Sequence, residues 1–101
     1  MAEYLIETYV PRTDTDAVGR GGELARAAAE ELLREGTAIR YLQAIFVPED
    51  ETCFYVYEAD SADAVRAAAE RASLPAARVV AAETTSKRSQ NDSSLDGWVS
   101  R

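Results

Sequence analysis

Thr37 to Val47 reads TAIRYLQAIFV, Pro48 to Glu51 reads PEDE, and Thr52 to Ala59 reads TCFYVYEA. Both flanking runs are dense in β-branched and aromatic residues, and the segment between them is made of turn formers, so residues 37–59 predict a β-hairpin. Side chains alternate along a strand. In the second run Phe54 and Val56 therefore point one way, and Cys53, Tyr55 and Tyr57 the other. Both sets are apolar, which implies that neither face of the hairpin is fully wet.

Working outward on the N-terminal side, Leu24, Ala28 and Leu32 repeat every four residues, and Ala25, Ala29 and Leu33 widen the stripe. That spacing predicts an amphipathic helix from Glu23, with Arg26–Glu30 and Glu30–Arg34 paired on its outer surface. Gly36 stands where a helix C-cap usually takes positive φ. Before the helix, Pro11 to Gly22 (PRTDTDAVGRGG) collects turn formers and glycines and is expected to be a loop, with a frayed turn around Asp16. Glu3 to Val10 (EYLIETYV) is expected to be a strand stopped by Pro11.

On the C-terminal side, Asp60 or Ser61 can cap a second helix, with Asp63 in its first turn. Val65, Ala68, Ala69 and Ala72 form its apolar seam, and Arg66–Glu70 can pair outside it. Pro75 ends it near Ser73. Ala77 to Thr84 predicts a short last strand. Residues 1–85 thus form one α+β domain. Residues 86–101 are polar, lack periodicity, and are expected to form a flexible tail. Within that tail, Trp98 can dock on a partner or fold back on its own domain.

The order β-α-β-β-α-β predicts a ferredoxin-like sandwich, a four-stranded antiparallel sheet with two helices on one face. The other face stays open, and Tyr55 and Tyr57 are expected on it. Exposed apolar area of that size marks a partner surface, so the expectation is a homodimer through the open sheet face, with a small-molecule ligand as an alternative occupant.

Composition narrows the function classes. The chain has 101 residues, 18 acidic against 11 basic, for a formal net charge of −7. That excess repels nucleic-acid phosphates and disfavours anionic membranes. No apolar run approaches the roughly 18 residues that span a bilayer. Met1-Ala2-Glu3-Tyr4 is not the start of a secretory signal, and one isolated cysteine suits a reducing compartment, so a cytoplasmic location is expected.

Histidine is absent from the chain. No Ser-His-Asp or Cys-His pair can be built, nor a zinc site of His and Cys. Gly19-Arg20-Gly21-Gly22 lacks the spacing of a phosphate loop. Cys53 sits near Glu51 and Glu58, whose charge opposes thiolate formation. No catalytic residue, metal ligand or cofactor is assigned. The candidates for ligand contact are Arg40, Gln43, Tyr55, Tyr57 and Glu58. Glu58 shares a face with Phe54 and Val56 and is expected near a helix, while Arg40 and Gln43 are the polar groups expected beside the tyrosines. Two functions stay open: a non-catalytic ligand-binding or protein-interaction module, and a small cofactorless enzyme of the dimeric α/β-barrel kind, an isomerase or monooxygenase using Arg40, Gln43, Tyr55 and Glu58.

Ile39-Arg40-Tyr41, Tyr55-Val56-Tyr57-Glu58-Ala59 and Ser73-Leu74-Pro75-Ala76-Ala77-Arg78-Val79, with the opening Tyr4-Leu5-Ile6-Glu7, resemble the DUF4242 family of small bacterial ferredoxin-like proteins. One branch of that family is nickel-binding. The resemblance covers residues 3–85 and implies the same fold. It also implies, for the metal-binding members, a histidine near position 43, a cysteine near 55 and a second histidine near 68. Gln43, Tyr55 and Ala68 stand there instead, and a borderline metal such as nickel prefers imidazole and thiolate. The fold carries over, and a tight nickel site is not expected.

Overall fold

The computed structural model describes residues 1–74 and 76–83. Strand β1 (Ala2–Tyr9) is followed by helix α1 (Thr15–Arg34), strands β2 (Ile39–Val47) and β3 (Thr52–Ala59), helix α2 (Ala62–Arg71) and strand β4 (Ala76–Ala82). The sheet order is β2-β3-β1-β4 with every neighbouring pair antiparallel. This is the ferredoxin-like α+β fold that the element order predicts. The hairpin closes through a single 3-10 turn at Pro48–Asp50, with Glu51 in the left-handed region at φ 49°. The segment containing Trp98 and the expected boundary at residue 85 lie outside the described residues.

Both helices end in the same way. Gly36, at φ 100°, donates its N–H to Leu33 O and the next N–H, of Thr37, reaches Leu32 O. Ser73, at φ 57°, and Leu74 repeat the pattern on Glu70 O and Ala69 O. Each is a Schellman motif, which satisfies carbonyls that a helix end leaves unpaired. At the start of α2, Ser61 Oγ accepts from the Ala64 N–H at 3.2 Å. Val65, Ala68, Ala69 and Ala72 of that helix are all buried, as their spacing indicates. Outside it, Arg66 pairs with Asp63 at 2.7 Å in place of Glu70.

The first helix starts earlier than the sequence suggests. Thr15 to Gly22, expected in a loop, is its first two turns. Glycine inside a helix costs about 1 kcal/mol relative to alanine, which is why the segment reads as a loop. Here packing overrides propensity. A Cβ built on Gly21 would overlap the Tyr55 hydroxyl and come within 2.9 Å of its Cζ, so only glycine lets the helix lie this close to the sheet. The buried stripe of α1 is also shifted: Gly21, Ala25, Ala28, Ala29 and Leu32 face the sheet, while Leu24 and Leu33 are exposed.

The core fills the space between the helices and one face of the sheet. Ile6 and Thr8 of β1 stand opposite Tyr55 and Cys53 of β3, and Ile39 stands opposite Ala59. All are buried. Tyr57 is fully buried, donates its hydroxyl to Ala25 O at 3.0 Å, and meets the Tyr41 ring edge-on at 5.6 Å.

Candidate functional site

The alternation within β3 is as the sequence gives it, but the faces are exchanged. Tyr55 and Tyr57 lie under the helices, not on the open side, and Phe54, Val56 and Glu58 take the open side. Alternation fixes which residues share a face; it cannot say which face receives the helices. A clue was present in α1. A helix that presents glycine and alanine inward needs large side chains opposite, and the tyrosines are the large residues of β3. Burial holds the Tyr55 and Tyr57 hydroxyls well above the usual tyrosine pKa, and neighbouring Cys53 and Tyr41 push in the same direction. Burial likewise raises the Cys53 thiol, against a smaller opposing effect from Tyr55.

Arg40 and Gln43 are on the open face as well, away from the tyrosines. A register shift between Tyr41 and Gln43 places Leu42 in a bulge. That extra residue lets positions 40 and 43, three apart, point the same way. Arg40 Nη2 lies 2.7 Å from Glu58 Oε1 directly across the strand pair. Glu58 is therefore half-buried beside a guanidinium, not tucked under a helix. The five candidate residues divide: Arg40, Gln43 and Glu58 on one side of the sheet, Tyr55 and Tyr57 on the other. The convergent set required by the cofactorless-enzyme reading is not assembled.

What the open face does bring together was not read from the sequence. Leu5, Phe54, Val56 and Val80 run across the three strands β4, β1 and β3, and Ile45 extends the row onto β2. Val56 is 5% exposed without belonging to the helix-side core. Two cross-strand ion pairs flank this row, Arg40–Glu58 on the β2 side and Arg78–Glu7 at 2.9 Å on the β4 side. Glu3 adds a third carboxylate, so among the described residues the face carries three carboxylates against two guanidiniums. It is close to neutral in a chain of formal charge −7.

A metal site fits these residues poorly. Gln43 and Tyr55, two of the positions at which the resemblance implies ligands, lie on opposite faces of the sheet, and Ala68 is buried in α2. Cys53 is fully buried. In the hairpin turn, Glu51 Oε2 already accepts the Arg12 N–H at 2.9 Å. Among the described residues no group of three or more Cys, Asp or Glu gathers in a way that can hold a metal ion. Also among the described residues, no helix is long and apolar enough to cross a membrane.

Comparison with known proteins places this geometry. The crystal structure of SCO4226 from Streptomyces coelicolor A3(2) matches with a TM-score of 0.68 at 19% identity, over 84% of this chain and 100% of that chain. At that identity the likeness carries the fold alone. No curated protein sequence gives a match. A family model described as "Nickel responsive protein SCO4226-like" matches residues 4–81, from within β1 to within β4. The chain belongs to the SCO4226-like family.

Proposed function

We propose that this chain is a non-catalytic interaction module that works as a homodimer, with the open faces of two sheets packed on each other. The observation that supports this reading is the apolar row Leu5–Phe54–Val56–Val80 between two ion pairs. An apolar patch rimmed by paired charges is the composition of an interface centre and its rim. A second copy is the occupant that fits best. Elsewhere the acidic surface repels its own copy, whereas this face is nearly charge-balanced and two copies can approach across it.

The family description speaks of nickel response. In this chain the chemistry for tight nickel coordination is missing: it has no histidine, and its one thiol is buried with a raised pKa. The reading is therefore a DUF4242-like, SCO4226-like domain without the imidazole and thiolate donors that the resemblance implies for metal-binding members. A nickel titration of the purified chain is expected to show no binding tighter than about 1 μM, and submicromolar affinity overturns this part.

The dimer is tested by placing one charge on each face. Phe54→Lys, at the centre of the open row, is expected to weaken self-association at least about tenfold in sedimentation equilibrium. Leu33→Lys, on the exposed side of α1, is expected to leave it unchanged. The opposite pattern assigns the contact to the helices and defeats the proposal.

A further inference from the structure

Between the first turns of α1 and the end of α2 lies a cleft of about 200 Å³, lined by Thr8, Gly21, Leu24, Tyr55 and Leu74, with Arg20 beside it. It lies on the helix side and does not belong to the open sheet face. Its inner wall is polar in an unusual way. Thr8 is 3% exposed and the one buried polar residue among the described core, yet its hydroxyl makes no hydrogen bond among the described residues. Tyr55 is 2% exposed, and its hydroxyl lies against Gly21, where the missing Cβ leaves it room. Among the described residues its hydroxyl is paired only with the Cys53 thiol, a weak partner, and Tyr41 also lies near it. Buried hydroxyls are normally paired, so the Thr8 hydroxyl, with the weakly paired Tyr55 hydroxyl on the same cleft, points to something that pairs it there.

The remaining walls define the rest of the ligand. Leu24 and Leu74 supply apolar surface, and Leu24 is 52% exposed although it is a leucine on a helix that packs on the sheet. Among the described residues Arg20 is the one cation lining the cleft. Its partner Asp14 is 3.6 Å away, beyond hydrogen-bond range, so the guanidinium keeps its donors.

We propose that this cleft binds a small hydroxy- or oxo-carboxylate. The carboxylate lies on Arg20, a flat or branched apolar body between Leu24 and Leu74, and the second oxygen at the far end on the hydroxyls of Thr8 and Tyr55. The volume admits about ten non-hydrogen atoms, below the size of most cofactors. The site lies on the helix side of the sheet and is independent of the dimer proposal.

The probe is 4-hydroxybenzoate, added to the ¹⁵N-labelled full chain and followed by amide chemical shifts. Saturable shifts are expected at Thr8, Gly21 and Leu74. Benzoate, which lacks the far oxygen, and 4-hydroxybenzyl alcohol, which lacks the carboxylate, are each expected to bind at least about fivefold more weakly. Arg20→Gln, a surface change that leaves the core intact, is expected to weaken 4-hydroxybenzoate about tenfold, the loss of one charge-assisted contact. No saturable shift up to about 10 mM overturns the proposal, because a ligand of this size with three matched contacts binds more tightly than that. Equal affinity for the Arg20→Gln variant overturns it too. If Phe54→Lys dissociates the dimer and the shifts persist, the two sites are separate; a failure of one leaves the other standing.

Discussion

The two faces of β3 are built from alternating residues of one eight-residue strand, and they solve different problems. The helix side carries Cys53, Tyr55 and Tyr57 against Gly21, Ala25 and Ala28, large side chains on the sheet fitted to small ones on the helix. The open side carries Phe54, Val56 and Glu58, with a cross-strand guanidinium for the carboxylate. On the first face nearly every contact is internal, and a change in volume has nowhere to go. On the second, Phe54 and Glu58 are in part exposed and relaxation there is cheap. A substitution should therefore damage folding on the helix side and association on the open side.

The largest effect that sharpens this contrast is expected from Tyr57→Ala. It removes a fully buried ring and its bond to Ala25 O, and it should cost about 4 kcal/mol in chemical denaturation. Val56→Ala, one position away on the other face, should cost less than half of that when measured on the monomer. Equal losses would erase the distinction.

Next in size is Gly21→Ala. Its new methyl group must displace the Tyr55 ring, for a loss of about 2 kcal/mol. Replacing Tyr55 by Leu in the same chain should recover part of that loss, so that the double-mutant cycle shows a coupling above about 0.5 kcal/mol. Strict additivity would mean that the close approach is not what Gly21 is for.

Alkaline pH separates the faces without mutation. Tyr55 and Tyr57 hold raised pKa values in the folded protein, because burial disfavours the phenolate. Below the ordinary tyrosine value of about 10 both states are protonated and stability is unaffected. Above it the unfolded chain releases protons that the folded one keeps, so stability falls as pH rises. Phenolate absorbance is expected to show these two tyrosines titrating only as the protein unfolds. Early titration of all five would contradict the buried placement.

The smallest effect belongs to the open face. Arg40→Gln should lower monomer stability by less than about 1 kcal/mol, since both partners of its ion pair remain in contact with water.

The elements of this fold were legible in the sequence because each rests on a local rule. The bounds of β3, the apolar seam of α2, its Ser61 cap and the positive φ of Gly36 all follow from neighbours within a few residues. What was not legible depends on partners distant in sequence. The start of α1 was hidden because Gly19, Gly21 and Gly22 read as a loop until Tyr55 is placed above Gly21. The side to which Tyr55 and Tyr57 point was misread because alternation is symmetric with respect to the two faces. That Arg40 and Gln43 lie away from the tyrosines is not legible because the bulge at Leu42, which sets the phase of β2, leaves no mark in composition, and the open side of Glu58 follows from the same symmetry as that of the tyrosines. The open-face row shares this history, since it needs the register of all four strands at once.

The mass of the full chain in solution, measured by light scattering over a range of concentrations, tests the dimer most directly. Twice the chain mass at micromolar concentration is the expected result. A single-chain mass that holds up to the millimolar range would contradict it.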